Sequence, residues 1–330
     1  MPTKEGYRFV PLPEAVNREV RPQARFDQRT PGCARLILEL EYRVVQPIHV
    51  GTGSWILDGH KPAREAARSG KRPVIPGSSM KGVLRARYEA ITNSCCLGRP
   101  PRDRKLEKNK LPSLTYPEYL VRFDPSIAKH DVFTPCRARS GELCPVCPAC
   151  ALFGTRSLRG RVSMHDLLAP EGTKLTTDKL PERFSPRPHH LGKFKVDKDR
   201  EELEVTKLRG RKFHNGALGA GTSSKGEVVE VIPAGTQLTG KIVCSNITKA
   251  ELGGLLSALG FVPASKLRVG AGKAYSFGQL DPVRVGIVAG SLKDDLPAGF
   301  VDRARPEFEA SADRHDLGER WLVQISQGSP

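Results

Sequence analysis

The sequence predicts an α+β fold whose core elements follow the order strand, helix, strand, strand, helix, strand. A strand is predicted over residues 35–45, where apolar and polar residues alternate with a period of two. Two amphipathic helices are predicted, one after Ser78 and one over residues 248–259, with short strand-like segments between and after them. This order is typical of a ferredoxin-like β-α-β-β-α-β core, which long insertions interrupt here.

Capping residues mark the beginnings of both helices. Ser78 and Ser79 follow a Pro-Gly turn and are expected to cap the first helix. Thr248 and Glu251 have the spacing of a capping box, and Gly260 is placed to end the second helix. Further strands are predicted at 160–166, 228–232, 237–244, 266–269 and 276–285.

Composition divides the rest of the chain. Residues 1–33 are expected to wrap over a core formed by residues 34–290, and residues 291–330 form a C-terminal extension with little pattern. The core is interrupted at 97–159 by an insertion that contains four of the eight cysteines. Residues 169–226 are rich in Pro, Gly, Lys and Arg and too long for a plain connection, so they predict a protruding hairpin or arm.

The charge of the chain points to an anionic partner. Lys and Arg number 53 against 36 Asp and Glu, a formal net charge of +17. Nucleic acid is the first candidate and an anionic membrane surface is the rival. No apolar run approaches the roughly 18 residues that span a bilayer, and the N-terminus lacks the apolar core of a signal peptide. We therefore expect a soluble cytoplasmic protein.

Three segments are candidate contacts for that anion. The first helix offers free N–H groups at Ser78 and Ser79 beside Lys81 and Arg85, which together suit a phosphate. The second is the glycine loop, residues 269–278, where Gly270, Ala271, Gly272 and Lys273 allow close approach of the backbone to a ligand. The third is the basic arm, in which Arg209, Arg211, Lys212 and His214 are the candidate contacts. Each segment also has an interpretation without a ligand. The first would be a capped helix with a solvated basic face, the second an ordinary Gly-rich hairpin and the third a solvated basic loop.

The cysteine pattern predicts a metal site. Cys144, Cys147 and Cys150 are separated by two residues each, a spacing typical of zinc knuckles. The fourth ligand is assigned to Cys136, with Cys95 and Cys96 as alternatives. An iron–sulfur cluster is the less favoured occupant. Structural zinc would fix a loop that has no core of its own.

Catalytic residues are harder to find. Asp58 lies in a basic loop near His49 and His60, where it could position a nucleophile in RNA cleavage or be an ordinary loop aspartate. The sequence has no legible Ser-His-Asp or Cys-His arrangement and no paired carboxylates of a two-metal nuclease.

Several motifs, in this order, resemble the RAMP superfamily of CRISPR proteins. They are IPGSSMKGVLR at 75–85, CPACALFG at 147–154 and VGAGKAYSFG at 269–278. More narrowly, they are similar to the backbone subunits (the Cas-seven family) of type III and related class 1 effector complexes. YRFVPLPE at 7–14 and RGRKFH at 209–214 resemble a subgroup near types III-D and III-E.

The resemblance implies an RRM-like core that binds guide RNA (crRNA) through its phosphates. Guide contacts would be Ser78, Ser79, Lys81, Arg85 and residues 270–273, and residues 183–226 would form a thumb. Copies would stack along the guide, beside other effector subunits, and present it to complementary target RNA.

Three functions follow from the resemblance. We favour a non-catalytic guide-binding subunit. In some relatives an aspartate in the loop after the first strand cleaves target RNA, and Asp58, aided by Mg²⁺, is the matching candidate. A guide-processing endoribonuclease that uses His49 or His189 is the remaining alternative.

Overall fold

The computed structural model describes residues 6–24, 30–96, 104–105, 120–137, 144–182, 192–197, 199–218, 226–287 and 300–327. The helices are α1 (Gly77–Ile91), α2 (Pro125–Ala128), α3 (Pro148–Phe153), α4 (Lys249–Ala258), α5 (Ala304–Glu309) and α6 (Asp316–Gln327). The strands are β1 (Tyr7–Val10), β2 (Glu19–Val20), β3 (Ala34–Val44), β4 (Gly51–Asp58), β5 (Lys61–Ala66), β6 (Arg68–Ser69), β7 (Arg72–Ile75), β8 (Arg104–Lys105), β9 (Leu120–Phe123), β10 (Pro145–Val146), β11 (Val162–Met164), β12 (Leu167–Leu168), β13 (Thr176–Pro181), β14 (Gly192–Asp197), β15 (Glu202–Leu208), β16 (Arg211–His214), β17 (Gly226–Val231), β18 (Gln237–Ile247), β19 (Leu267–Arg268) and β20 (Gln279–Ile287).

The predicted α+β class is confirmed. The largest sheet has eight strands, seven of them in the order β19-β20-β3-β18-β12-β7-β6, with β11 also paired to β18. Strand β3 lies between β18 and β20 and is antiparallel to both. Leu36, Leu38, Leu40, Tyr42 and Val44 alternate along β3 and are all buried. Their period of two therefore directs one face of β3 into the core.

The beginnings of the two main helices differ from each other. Helix α4 has the predicted capping box, in which Thr248 and Glu251 exchange hydrogen bonds. The capping role predicted for Ser78 and Ser79 is wrong, because α1 already begins at Gly77 and no side chain of its N-cap residue bonds to it. Asp166 replaces them from another segment: its carboxylate accepts a hydrogen bond from the Gly77 N–H at 2.8 Å. A long-range partner of this kind leaves no mark in the local sequence.

The C-terminal residues contribute to the core, which the sequence pattern did not predict. Helix α5 packs on α4, and α6 packs on α1. Phe308 of α5 and Leu322 and Ile325 of α6 are buried. The described part of the C-terminal extension thus completes the main core rather than lying apart from it.

Two smaller sheets stand beside the main one. One has the order β13-β17-β5-β4 and ends at the β4–β5 hairpin. The other has the order β14-β15-β9-β8 and combines strands of the 97–159 insertion with strands of the basic arm. Val121, Leu203 and Val205 form a small apolar cluster in this second sheet. The insertion and the arm therefore stabilise each other.

The N-terminal segment is bound to distant parts of the chain. Strand β1 pairs with β16, and Arg21 forms an ion pair with Asp313 at 2.7 Å. Within the ranges given above, no helix has both the length and the apolar character needed to cross a membrane.

Candidate nucleic-acid interface

A cleft of about 460 Å³ lies where α1, β16, the glycine loop and α6 meet. Five residues predicted from the sequence to bind RNA line it: Ser79, Lys212, His214, Gly270 and Lys273. They come from three segments that are far apart in the sequence. The fold therefore brings part of each predicted contact segment to one place.

The glycine loop reaches this cleft because its glycines allow an unusual backbone. Gly270 has φ +81° and Gly272 has φ +68°, in the left-handed region that L side chains avoid. A Cβ on Gly270 would lie 2.2 Å from the carbonyl oxygen of His49. The same oxygen accepts a hydrogen bond from Ala271 N–H at 2.9 Å. The loop is thereby held tightly against the segment that follows β3.

Arg268 connects the glycine loop to the end of β16. Its guanidinium donates to the carbonyl oxygens of Phe277 and Asn215, both at 2.9 Å, and to the Gln46 side chain at 2.8 Å. Burial lowers the pKa of Arg268 to about 10, so the group remains a cation at neutral pH. It therefore adds positive charge to the cleft while it fixes two of the walls.

The ionisable side chains of the cleft favour an anion. Burial lowers the pKa of Lys273. The Lys212 ammonium lies 3.7 Å from the centre of the Tyr7 ring. His214 has its pKa lowered to about 4 by burial first and by neighbouring Lys212, so its imidazole is neutral near pH 7. Lys273 and Arg268 are partly desolvated cations, and exposed Lys212 adds a further positive charge. Neighbouring cations repel one another and gain free energy when an anion binds between them.

The serine turn contributes less than its sequence suggests. Of its four predicted contacts only Ser79 lines the cleft. Ser78 is exposed, and burial and Arg85 lower the pKa of the half-buried Lys81. Arg85 does not line the cleft, and its Nη2 lies 3.7 Å from the Cys150 sulfur. Arg87, a further basic residue of α1, is buried and donates to the Ala258 carbonyl at 2.7 Å, so it stabilises the end of α4.

Several residues of the cleft are not among the contacts that the sequence motifs predict. The apolar part of the lining includes Phe213 of β16 and Leu322 and Ile325 of α6. The apolar spacing of residues 317, 321, 322 and 325 is a helical signal that could have indicated α6. Its position at the cleft has no local signal, because it depends on tertiary packing.

The candidate metal site is a cluster of Cys95, Cys136, Cys147 and Cys150, named here the cysteine cluster. Their sulfur atoms all lie within 4.8 Å of one another, and all four residues are buried. The Cys95 sulfur lies 3.9, 3.5 and 3.6 Å from those of Cys136, Cys147 and Cys150. Tetrahedral zinc with Zn–S bonds of ~2.3 Å places its sulfurs about 3.8 Å apart. The donor set and its spacing thus fit a zinc ion.

The cluster differs from the predicted ligand set in one residue. Cys144, taken as a ligand from its spacing, is half-buried and lies outside the cluster, and Cys95 takes its place. Hydrogen bonds from the thiols of Cys147, Cys150 and Cys95 hold the pKa of Cys136 far below its usual range. The Cys147 N–H also donates to the Cys136 sulfur at 3.2 Å. These contacts prepare a thiolate for a cation.

The other predicted contacts and catalytic candidates lie outside the cleft lining. Arg209 is exposed, Arg211 pairs with buried Glu89, and Ala271 and Gly272 do not line the cleft.

Asp58 is exposed at the tip of the β4–β5 hairpin and accepts a hydrogen bond from the Thr177 hydroxyl at 2.9 Å. His49 is buried with Nδ1 at 2.7 Å from the Glu230 carbonyl, and His189 lies outside the described residues.

The described structure thus combines, on an α+β scaffold, a basic cleft that suits an anion with a buried thiol cluster that suits a metal ion. The chain belongs to the RAMP superfamily, whose family model matches residues 41–281. Membership indicates a CRISPR-associated RNA-binding module that works with crRNA and other Cas subunits. A comparison with curated proteins finds no match.

Proposed function

We propose that this protein is a backbone subunit of a CRISPR effector complex of type III or a related type, and that it binds guide RNA through the phosphates. The observation that carries the proposal is the cleft in which Lys212, Lys273 and Ser79 of α1 meet. Cations and side-chain hydroxyl groups bind phosphates without reading sequence. Aromatic residues make up only 6% of the chain, which disfavours extended base stacking as the main source of affinity.

The strand order supports an RRM-like, ferredoxin-like core for this subunit. The order β20-β3-β18-β12 in space, with α1 and α4 as the two helices, corresponds to a β-α-β-β-α-β unit along the chain. The region that contains β14 and β15 is proposed as the thumb. Stacked copies, further effector subunits and complementary target RNA are the proposed partners in the cytoplasm.

The cysteine cluster is proposed to hold structural zinc. Of the four ligands, Cys95 lies in the segment that follows α1, and the other three come from two places in the insertion. Zinc would cross-link these segments and so hold the insertion to the chain that follows α1. All four sulfurs would be occupied by the ion, which leaves no open position of the kind that catalytic zinc needs.

Fluorescence anisotropy with a labelled single-stranded RNA tests the RNA-binding proposal. We expect Lys212→Ala and Lys273→Ala each to weaken binding and to reduce the slope of log affinity against log salt by about 0.7. Lys249→Ala is the matched control, because Lys249 forms an ion pair with Glu307 at 3.2 Å and does not line the cleft. Unchanged slopes in both cleft variants, or no binding by the wild type, would refute the proposal.

A further inference from the structure

A buried carboxylate joins two arginines from separate parts of the chain. Glu89 of α1 is almost fully buried. Its Oε1 accepts a hydrogen bond from Arg85 Nε at 2.7 Å, and its Oε2 forms an ion pair with Arg211 Nη2. Because an unpaired buried charge is costly, Glu89 holds both guanidinium groups in place.

Arg85 extends this network to the cysteine cluster. Its Nη1 donates to the Gly154 carbonyl at 2.8 Å, directly after α3, and its Nη2 lies 3.7 Å from the Cys150 sulfur. A divalent ion with four thiolates carries a net charge of about −2, and a neighbouring guanidinium compensates part of it. Arg85 is therefore placed as an outer-sphere partner of a metal at the cluster.

Arg211 carries the network in the other direction, to the cleft. It is the first residue of β16, and Lys212, Phe213 and His214 behind it line the cleft. Among the described residues, β16 pairs only with β1, in a two-stranded sheet. Its position thus depends strongly on contacts such as the pair with Glu89. Among the described residues, the buried Nη1 of Arg211 has no hydrogen-bond partner. The ion pair with Glu89 is therefore the main contact that holds this guanidinium.

We propose that Arg85 and Glu89 are positioning residues that couple metal binding at the cysteine cluster to the placement of β16. A metal ion orients Arg85 through Cys150, Arg85 orients Glu89, and Glu89 fixes Arg211 and with it one wall of the cleft. Coupling of this kind is reciprocal: metal strengthens RNA binding, and a change at Arg211 weakens metal binding. The RNA half of the inference rests on the proposed function, whereas the placement of β16 does not.

Two measurements without RNA test the coupling. Hydrogen exchange of the 211–214 amides is compared in the zinc-loaded full chain and after zinc removal by a chelator, with circular dichroism to show that the chain remains folded. We expect faster exchange in β16 without zinc, and we expect Arg211→Lys to release zinc to a chromogenic chelator about tenfold faster than wild type. Unchanged exchange together with unchanged zinc release would overturn the inference.

RNA affinity gives the third measurement. Glu89→Gln keeps the shape of the side chain and removes its charge. In zinc-loaded protein we expect it to weaken RNA binding about tenfold, and in zinc-free protein we expect it to have little further effect. Leu84→Ala, a buried change on the same helix, is the control for general destabilisation and should act equally with and without zinc. Equal effects of Glu89→Gln in both states would refute the coupling, whereas absence of RNA binding by wild type would refute only the proposed function.

Discussion

The carbonyl oxygen of His49 accepts the N–H of Ala271 at 2.9 Å, and this contact fixes the glycine loop against the segment after β3. The approach is close because Gly270, the residue before Ala271, has no side chain. Any Cβ there would meet the same carbonyl oxygen at 2.2 Å. The position of the loop, and with it the position of Lys273, depends on this backbone contact.

Gly270→Ala is therefore expected to destabilise the protein by about 3 kcal/mol, the sum of about 1 kcal/mol for left-handed φ and about 2 kcal/mol for overpacking. Gly53→Ala is the matched control, because Gly53 also has a left-handed φ (+96°) but nothing lies within 4 Å of its Cβ position. It should lose only about 1 kcal/mol. Urea denaturation measures both values, and equal losses would contradict the packing argument.

The depressed pKa of His214 predicts a loss of stability in mild acid. Its folded pKa of about 4 lies below the ordinary histidine value of 6.5, so the unfolded chain binds more protons between these two pH values. The contribution of His214 to folding stability is thus complete above pH 6.5 and decreases as the pH falls toward 4. His214→Asn should flatten this part of the curve of unfolding free energy against pH. An identical slope in wild type and variant would show that other groups cause the loss.

Zinc content separates the observed ligand set from the one that spacing predicted. Cys95→Ser should lose most of the bound zinc, because Cys95 lies in the cluster, whereas Cys144→Ser should retain it. Elemental analysis of the purified variants gives the metal content, and the thermal midpoint of unfolding gives the stability that the metal contributes. Retained zinc in Cys95→Ser together with loss in Cys144→Ser would support the spacing-based assignment instead.

Local patterns predicted the parts of the fold that depend on neighbours in sequence. The alternation in β3 and the capping box at Thr248 are of this kind, and both are present. Cys95 was only an alternative ligand because its nearest partner in sequence, Cys136, is 41 residues away. The C-x2-C-x2-C spacing at 144–150 predicted one wrong metal ligand, Cys144. Helix α3 begins after Cys147, so Cys147 and Cys150 lie in the cluster whereas Cys144 lies outside it.

The assignment of the basic residues shows the same limit. Arg85 and Arg211 were predicted to contact RNA because charge is visible in a sequence, but burial is not. Both form ion pairs with Glu89, an acidic residue that no motif singled out. Lys212, next to Arg211 on β16, is exposed and lines the cleft. Exposure thus separates the candidate RNA contact from Arg211, which Glu89 holds by an ion pair.

Asp58 decides between a binding subunit and an endoribonuclease. It is exposed at a hairpin tip with one hydrogen bond, from Thr177. Among the described residues, the cysteine cluster is the only group of three or more potential metal ligands in reach of one ion, so Asp58 has no such partners there. We expect the assembled complex to leave complementary RNA intact in Mg²⁺, and Asp58→Asn to change neither this outcome nor guide affinity by more than about twofold. Gel analysis of labelled target RNA checks the outcome. Regularly spaced cleavage by wild type that disappears in Asp58→Asn would instead establish the endoribonuclease.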